Sequence, residues 1–382
     1  MNELDFSKLP DLLQGLVQNE SPDPPGDERK IAEFIGNYLT TENVDFQWDE
    51  FCEHRINIIS RLTSSQEKPA LVFSAHMDTM PVGVQKWRTP PFGGVKEEQR
   101  IYGRGASDMK GGIAAMLAAF IALRKTTTSL KGDLILALSA GESSSNMGAR
   151  RFIEKGQLRG AGALLVSEPS SMKLFIAEKG ALWLKLKFNG RSGHCSTRFS
   201  PEDKDKPRNA IQMANDFIRR ITEEKLLSIS HSLLGDTTWS VNKIKGGTAI
   251  NMVPDYCEVE LDIRTIPNQT MEEIIDKLKS IGGAEMEVEV IGIKESVETP
   301  PEDSFVRLCQ EALGSVLDTS PVPEGVSYFS DATVICPALK IPMAIIGPGE
   351  EGMSGQQDEW VNLHNVELAA RVFYNIALKY LS

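Results

Sequence analysis

The chain has 382 residues, which is too long for one simple hydrophobic core and about right for two domains. Its 41 basic and 53 acidic side chains give a net charge of −12, which argues against nucleic acid as a partner. No apolar run approaches the ~20 residues of a membrane span, and the acidic amino terminus does not resemble a secretory signal, so we expect a cytoplasmic protein. The five scattered cysteines lack a C-x-x-C pair and are typical of reduced structural thiols.

After a helical opening, the first part of the chain alternates helical segments with strand segments. The strand segments are apolar on both faces, as in a parallel sheet that helices cover on either side. The helical segments contain many good helix formers. This alternation predicts a doubly wound α/β layer, with helices over 28–42 and 110–125 and strands over 69–75, 133–140 and 162–168.

From about Glu178 apolar residues alternate with polar ones, which is typical of half-exposed antiparallel strands. The segments that follow, down to a last strand over 284–292, have the order βαββαβ of the ferredoxin-like plan. Helices and a buried strand return beyond this region. We therefore predict an α/β domain over 1–178 and 295–382, with a ferredoxin-like α+β domain inserted over 179–294.

Three of the apolar strands end in a side chain that could bind a metal or act as an acid. His76 and Asp78 follow the first of these strands. Glu142 follows the second, and Glu168 ends the third. Sites in open α/β sheets form at the carboxyl ends of strands, so we expect these side chains in one crevice. A further acid, Asp108, lies in a glycine-containing turn directly before a predicted helix.

Each of these residues also has a structural interpretation that involves no chemistry. His76 could be a packed histidine beside an ordinary turn residue, Asp78, because short patterns of this kind often occur by chance. Asp108 could cap the helix that follows it, and Glu168 could be an extended residue before Pro169. The metal interpretation is favoured because the chain has only 5 histidines, and this one is accompanied by acids at three further strand or loop ends.

A series of motifs extends over nearly the whole chain, including the inserted domain. In chain order they are SPDPPGDE, SAHMDTMPVG, GRGASDMKGG, AGESSSNMGA, VSEPS, GRSGHCS, GGTAINMVP, DIR and DEWV. Their order and spacing resemble those of the zinc-dependent family that includes aminoacylases, acetylornithine deacetylases, succinyl-diaminopimelate desuccinylases and carboxypeptidases. The ordered set is far more specific than any one of its members.

The resemblance implies a zinc site, with cobalt or manganese as alternative metals. His76 resembles the first metal ligand, and Asp78 resembles the partner that orients its ring. Asp108 resembles a carboxylate that bridges two metals, and Glu168 resembles a ligand of the same metal as His76. Glu142 resembles the general base that deprotonates the attacking water.

In the inserted domain the resemblance implies three further site residues. His194 resembles a histidine that stabilises a tetrahedral oxyanion, in some members across a dimer interface. Asn251 and Arg264 resemble groups that hold the substrate, the arginine by its carboxylate. Without the resemblance, His194 could be a surface histidine and Arg264 an exposed ion-pair partner of acids on its strand face. The family also implies that the inserted domain is a lid and the contact of a homodimer.

Two metal-ligand positions of the family are substituted in this chain. The family has a second glutamate directly after the base, where this chain has Ser143. It also has a histidine three residues before an Asp-Glu pair, where this chain has Gly355. Both missing ligands belong to the same metal site in the family. We therefore predict one ion per chain, bound by His76, Asp108 and Glu168.

Two features near these positions have alternative interpretations. The serines at 143–145 could be hydroxyl caps of the helix that follows, a role that does not exclude the loss of a ligand. His364 could be a displaced metal ligand, but it lies nine residues beyond Gly355 at a predicted helix start, which makes it the weaker candidate.

Two functions are compatible with the sequence. The first is a metal-dependent amide hydrolase that acts on an N-acyl amino acid or a small peptide. The second is a catalytically silent or repurposed relative that binds a small carboxylate ligand. The loss of two ligands favours the second function, whereas one complete ligand set together with the base Glu142 favours the first. We prefer the hydrolase.

Overall fold

The computed structural model describes residues 6–126, 130–198, 200, 202–224, 229–283 and 285–382, which form two compact units. Unit 1 comprises Met1–Ala177, Glu298–Gly325 and Ser330–Ser382, and unit 2 comprises Glu178–Val297 and Val326–Phe329. The sequence predicts 326–329 in the first domain, but this segment joins unit 2. Its Val326 carbonyl accepts the backbone N–H of Lys179 at 3.2 Å, and the ring of Phe329 packs edge-on against Trp183.

Helices and strands alternate along the chain. The helices are α1 (Leu9–Gln18), α2 (Arg29–Thr41), α3 (Gly111–Thr126), α4 (Glu142–Ser145), α5 (Met147–Glu154), α6 (Ala210–Glu223), α7 (Met271–Gly282), α8 (Ser304–Leu317), α9 (Ala332–Leu339) and α10 (Leu363–Leu381). A π-helical turn, Ala106–Lys110, directly precedes α3.

Unit 2 contains the longest strands, of nine or ten residues, together with several strands of two residues. In chain order the strands are β1 (Gln47–Cys52), β2 (Arg55–Leu62), β3 (Ala70–His76), β4 (Val95–Glu97), β5 (Arg100–Tyr102), β6 (Leu134–Ser139), β7 (Ala161–Val166), β8 (Phe175–Glu178), β9 (Gly180–Asn189), β10 (Gly193–His194), β11 (Ser230–His231), β12 (Gly235–Asp236), β13 (Thr238–Gly246), β14 (Met252–Val253), β15 (Tyr256–Thr265), β16 (Met286–Lys294), β17 (Val297–Glu298), β18 (Glu324–Val326), β19 (Met343–Ile345) and β20 (Trp360–Asn362).

The predicted α/β layer is confirmed in unit 1. The predicted helices are α2 and α3, and the predicted strands are β3, β6 and β7, each within two residues of its expected bounds. The expected helical opening is α1, although residues 1–5 lie outside the described part of the chain. The last predicted strand of the inserted domain begins at residue 284, also outside that part, and the remainder of it lies within β16.

A mixed sheet forms the centre of unit 1, with the strand order β1-β2-β6-β3-β7-β19-β8. Strands β6, β3, β7 and β19 run parallel to one another, and their residues are almost all buried. Strands β2 and β8 extend this parallel centre with antiparallel pairings. The two faces of a parallel sheet are normally covered by helices, which explains the continuous apolar runs in the sequence.

Strand β2 is not predicted by the sequence, because polar residues interrupt its apolar run. Arg55, Asn57 and Ser60 are nevertheless buried, with 8%, 0% and 2% of their surface exposed. The amide of Asn57 accepts the backbone N–H of Ala140 at 3.0 Å and donates to the carbonyl of Gly148 at 2.9 Å. Asn57 therefore attaches β2 to the segment that follows β6.

Helix α3 lies in the core of unit 1 and packs against α10. Together with the turn before it, it forms a stretch of 21 residues, Ala106–Thr126, that is long and apolar enough to cross a membrane. This result corrects the expectation that no segment approaches such a length. The most apolar window of the stretch is 83% buried inside the fold, and a core helix passes the same test of length and composition.

The strand register brings the predicted site residues to one edge of the sheet. His76, the last residue of β3, lies level with Ser139 at the end of β6. On the other side of β3, Ser74 lies level with Val166, the last residue of β7. The loops that carry Glu142 and Glu168 therefore begin beside His76.

Unit 2 has the βαββαβ order that the sequence predicts, formed by β9, α6, β13, β15, α7 and β16. Its antiparallel sheet has the strand order β13-β15-β9-β16. Along β9 the even-numbered residues from Leu182 to Phe188 are buried, and they pack with apolar residues of α6 and α7. The alternation in the sequence thus reflects one buried face and one partly exposed face.

Candidate metal centre and active site

Three side chains from separate elements converge at the carboxyl ends of the parallel strands. His76 ends β3, Glu168 follows β7, and Asp108 lies in the π-helical turn before α3. His76 Nε2 lies 3.1 Å from Asp108 Oδ1 and 3.5 Å from Glu168 Oε1. One ligand atom of each residue lies within 4.8 Å of those of the other two. The structure therefore brings the three predicted metal ligands together.

The turn that presents Asp108 depends on a glycine. Gly105 adopts a left-handed φ of 83°, and a Cβ added there would lie 2.4 Å from Thr79 Cγ2. A side chain at this position would be strained and would also collide with Thr79. The peptide bond between Asp108 and Met109 is cis.

The donor set fits a zinc ion. One imidazole and two carboxylates that leave a coordination position open are typical of catalytic zinc sites. His76 and Glu168 are only 4% and 5% exposed, so their charges are largely shielded from water. Burial raises the pKa of Glu168 to about 7, although His76 opposes the rise. A divalent cation would compensate these clustered carboxylates far better than a single imidazole.

The ring of His76 is oriented by Asp78, but chiefly through the backbone. His76 Nδ1 lies 2.9 Å from the Asp78 carbonyl oxygen and 3.8 Å from Asp78 Oδ1. The Asp78 carboxylate instead accepts the backbone N–H groups of Glu142 at 3.0 Å and Ser143 at 3.1 Å. With Nδ1–H donating to the carbonyl, Nε2 is free to bind a metal. Asp78 therefore positions both the imidazole and the loop that carries the predicted base.

Glu142 is the first residue of α4 and is only 6% exposed. Burial raises its pKa well above the ordinary value of 4.5, although the nearby His76 opposes the rise. A carboxylate whose pKa lies closer to neutral accepts a proton from water more readily than an exposed one. The environment of Glu142 thus suits the role of a general base.

Zinc is expected to stabilise the protein more at about pH 8 than at about pH 6. The pKa of Glu168 rises from 4.5 to about 7 on folding without metal, so the folded chain holds a proton that the unfolded chain releases. Stability without metal is therefore lost as the pH rises through this window. The pKa of His76, raised above 6.5 by its acidic neighbours against the effect of burial, acts in the same direction. Zinc replaces these protons, so its effect grows with pH.

The measurement is the shift in Tm between zinc-loaded and chelator-treated protein at the two pH values. The chelator-treated protein alone should also have a lower Tm at about pH 8 than at about pH 6. An equal zinc-induced shift at both pH values would contradict the proton displacement.

Two residues beside Glu142 are not predicted by the sequence. Asp331 is 3% exposed, and its carboxylate accepts the side-chain amide of Asn146 at 3.1 Å and the hydroxyl of Ser139. The same Asn146 amide lies 3.3 Å from Glu142 Oε1. Burial raises the pKa of Asp331. An aspartate directly before a helix is a common N-cap, so sequence alone gave no reason to assign Asp331 to the site.

A buried ion pair that the sequence does not predict, between Arg104 and Glu359, holds the backbone of Asp108. Glu359 Oε1 accepts the backbone N–H groups of Ser107 at 2.9 Å and Asp108 at 3.0 Å. Glu359 Oε2 pairs with Arg104 at 2.7 Å, and the two side chains are 0% and 2% exposed. Burial raises the pKa of Glu359 to about 7. The DEWV motif thus contributes a residue that positions a metal ligand.

The serines at 143–145, which lie in α4, do not cap the following helix, which corrects that interpretation. The N-cap of α5 is Asn146, and it makes no side-chain capping hydrogen bond. The hydroxyl of Ser144 donates instead to Asp23 Oδ2 at 2.5 Å. Asp23 is in turn paired with the guanidinium of Arg55 at 2.9 Å. Ser144 therefore bonds to the buried Asp23–Arg55 ion pair instead of capping a helix.

His364 lies at the first turn of α10, where its backbone N–H donates to Asn362 Oδ1 at 2.9 Å. Its side chain is exposed. Among the described residues, the group that could hold a metal with His76 consists of Asp108 and Glu168 and does not include His364. The structure thus gives no support to His364 as a displaced ligand.

Unit 2 contains the three remaining predicted site residues. His194 and Asn251 are exposed and adjacent, with His194 Nε2 3.3 Å from Asn251 Nδ2. Arg264 is partly buried and forms an ion pair with Asp262 at 2.9 Å. Its guanidinium also lies 5.0 Å from the ring centroid of Phe329. The contacts of Arg264 therefore match its alternative interpretation as an ion-pair partner of a neighbouring acid. Asn251 lies within hydrogen-bond distance of the His194 imidazole.

The chain is similar to a known protein family and to curated relatives. The model of the peptidase family M20/M25/M40 matches residues 72–379. The chain is 26% identical to a probable succinyl-diaminopimelate desuccinylase of Staphylococcus aureus strain MRSA252, over 97% of each chain. It is 29% identical to an acetylornithine deacetylase of Klebsiella pneumoniae strain 342, over 84% of this chain and 82% of that relative.

A solved structure has the same fold. The aminopeptidase PepT from Bacillus cereus superposes with a TM-score of 0.78 at 20% identity, covering 98% of both chains. The fold of the chain is therefore found in an aminopeptidase of known structure.

Proposed function

This chain belongs to the peptidase family M20/M25/M40, and from this premise we propose that it hydrolyses the amide bond of an N-acyl amino acid or a small peptide with a single zinc ion. Membership makes the chain a metal-dependent hydrolase of the peptidase or deacylase type. The number of metal ions, the base and the substrate class are the proposed parts.

The observation that carries the proposal is the complete ligand set on one side of Asp108. His76 and Glu168 lie within 4.8 Å of it, whereas the two substituted positions hold Ser143 and Gly355, which offer no carboxylate or imidazole. A catalytic zinc needs only three protein ligands and an open position.

The mechanism assigns a role to each nearby side chain. His76, Asp108 and Glu168 would hold the zinc ion, which would supply polarisation of the scissile carbonyl and a lowered pKa of the attacking water. Glu142 takes a proton from that water and delivers it to the leaving nitrogen. Asp78 fixes the backbone of the Glu142 loop, and Asn146 fixes the Glu142 carboxylate. Asp331 holds the Asn146 amide in place.

The roles of the unit 2 residues rest on family membership. We propose that His194 stabilises the oxyanion, with its ring oriented by Asn251, and that Arg264 binds a substrate carboxylate. To do so, the guanidinium of Arg264 must release Asp262 or be shared between the two acids. The substrate class follows from the matched relatives, which are a desuccinylase and a deacetylase of amino acids. We also propose a cytoplasmic homodimer that contacts through unit 2.

The test is a zinc titration of metal-free protein with N-acetyl amino acids, N-succinyl amino acids and dipeptides as substrates. We expect hydrolysis of one of these classes to rise linearly and to saturate at one zinc per chain. Saturation at two zinc ions per chain would contradict the single-metal proposal. A protein that binds no zinc but binds a small carboxylate tightly would support the silent relative instead.

A further inference from the structure

We propose that the hydroxyl of Ser354 confines Asp108 to a single metal ion and orients it toward His76 and Glu168. In the family pattern the carboxylate at this position bridges two metals. The Ser354 hydroxyl donates a hydrogen bond to Asp108 Oδ2. The inference rests on the proposed single-metal function and assigns a positioning residue to it.

The two oxygens of Asp108 have different partners. Oδ1 faces the ligand set, 3.1 Å from His76 Nε2. Oδ2 instead accepts the Ser354 hydroxyl. The backbone N–H of Asp108 is held by Glu359 at 3.0 Å, so the residue is restrained at its backbone as well as at both carboxylate oxygens.

Ser354 is presented by a tight turn whose shape requires a glycine. Gln356 donates its backbone N–H to the carbonyl of Met353 at 3.1 Å, with Ser354 and Gly355 between them. Gly355 has a φ of 70°, the left-handed conformation that glycine adopts without cost and other residues rarely adopt. The replacement of the family histidine by Gly355 thus removes a ligand and also permits the turn that delivers Ser354.

The turn is anchored to the same buried arginine that supports the Asp108 backbone. Arg104 donates to the carbonyl oxygens of Gly355 at 3.0 Å and Gln356 at 3.2 Å. The guanidinium also pairs with Glu359, the residue that binds the Asp108 N–H. The turn that carries Ser354 and the backbone of Asp108 are therefore both attached to the Arg104–Glu359 ion pair.

In this arrangement the Ser354 hydroxyl donates to the Asp108 oxygen that would otherwise bind the second metal ion. A carboxylate that bridges two ions with one oxygen on each needs both oxygens, whereas here Oδ2 accepts the Ser354 hydroxyl. Groups that hydrogen-bond a metal ligand typically contribute a factor of roughly 10–100 in metal affinity, because they fix the ligand in its binding orientation. Ser354 is expected to contribute within this range.

The experiment measures zinc affinity by competition with a chromophoric chelator, which requires no activity. We expect Ser354→Ala to bind zinc roughly 10–100-fold more weakly than the wild type. Ser354→Thr retains the hydroxyl and is expected to bind zinc with nearly wild-type affinity. The matched control is Ser280→Ala, an exposed serine whose hydroxyl bonds to the Lys277 carbonyl of its own helix. This control should leave zinc affinity unchanged.

The possible outcomes separate this inference from the proposed function. Wild-type affinity in Ser354→Ala would overturn the role of Ser354 while leaving the single-metal site intact. Equal weakening in Ser354→Ala and Ser354→Thr would also overturn it, because the hydroxyl would not be the responsible group. A wild-type protein that binds no zinc, or two ions, would overturn the proposed function itself.

Discussion

Replacing Glu142 by glutamine is expected to lower kcat by roughly 10²–10⁴-fold, the usual contribution of a positioned general base. Glutamine keeps an oxygen that can accept the Asn146 amide, now 3.3 Å from Glu142 Oε1, but it cannot take a proton from water. The backbone N–H of residue 142 still donates to Asp78. The measurement is steady-state kinetics on the substrate found in the zinc titration, together with zinc content.

The control for this variant is Glu302→Gln, which neutralises an exposed acid and should leave kcat unchanged. Zinc content should be the same in all three proteins, because Glu142 is not one of the three grouped metal ligands. A small effect of Glu142→Gln on kcat would assign the base to another acid. Asp331 is then the first candidate, since it shares the Asn146 amide with Glu142.

The convergence of three candidate site residues could be predicted because their positions follow from local sequence patterns. A strand that is apolar on both faces is typical of the parallel centre of an α/β sheet, and such sheets bind ligands where their strands end. His76 ends β3, and Glu142 and Glu168 follow β6 and β7 closely, so the three lie at one edge. The family resemblance then assigned chemistry to positions that the fold already brought together.

The supporting residues could not be predicted because their partners are distant in the sequence. Arg104 and Glu359 are separated by 255 positions, and Ser354 and Asp108 by 246. A single arginine or serine has no periodicity of its own, and by composition it is assigned to the surface. Such pairings become visible only when the fold places two loops side by side. The substituted ligand positions could be identified from the sequence, but the hydrogen bond between Ser354 and Asp108 could not.

Replacing Arg104 by alanine is expected to lower the free energy of unfolding by about 3–5 kcal/mol, the usual cost of removing one partner from a buried ion pair. Glu359 would keep a carboxylate with no exposed surface and without its cation. The carbonyl oxygens of Gly355 and Gln356 would also lose their donor. The measurement is the urea unfolding transition, compared with Arg88→Ala. Arg88 pairs with Glu97 at 2.9 Å at the surface, so its loss should change the transition little.

The pH dependence of this destabilisation distinguishes an unpaired buried charge on Glu359 from a cavity left by the missing side chain. Burial already raises the pKa of Glu359 from 4.5 to about 7, and loss of the Arg104 guanidinium would raise it further. A protonated Glu359 carries no charge, so the destabilisation by Arg104→Ala should be smaller at about pH 6 than at about pH 8. Equal destabilisation at both pH values would assign the effect to lost packing. Because Glu359 also accepts the backbone N–H of Asp108, an unpaired charge on Glu359 should weaken zinc binding as well.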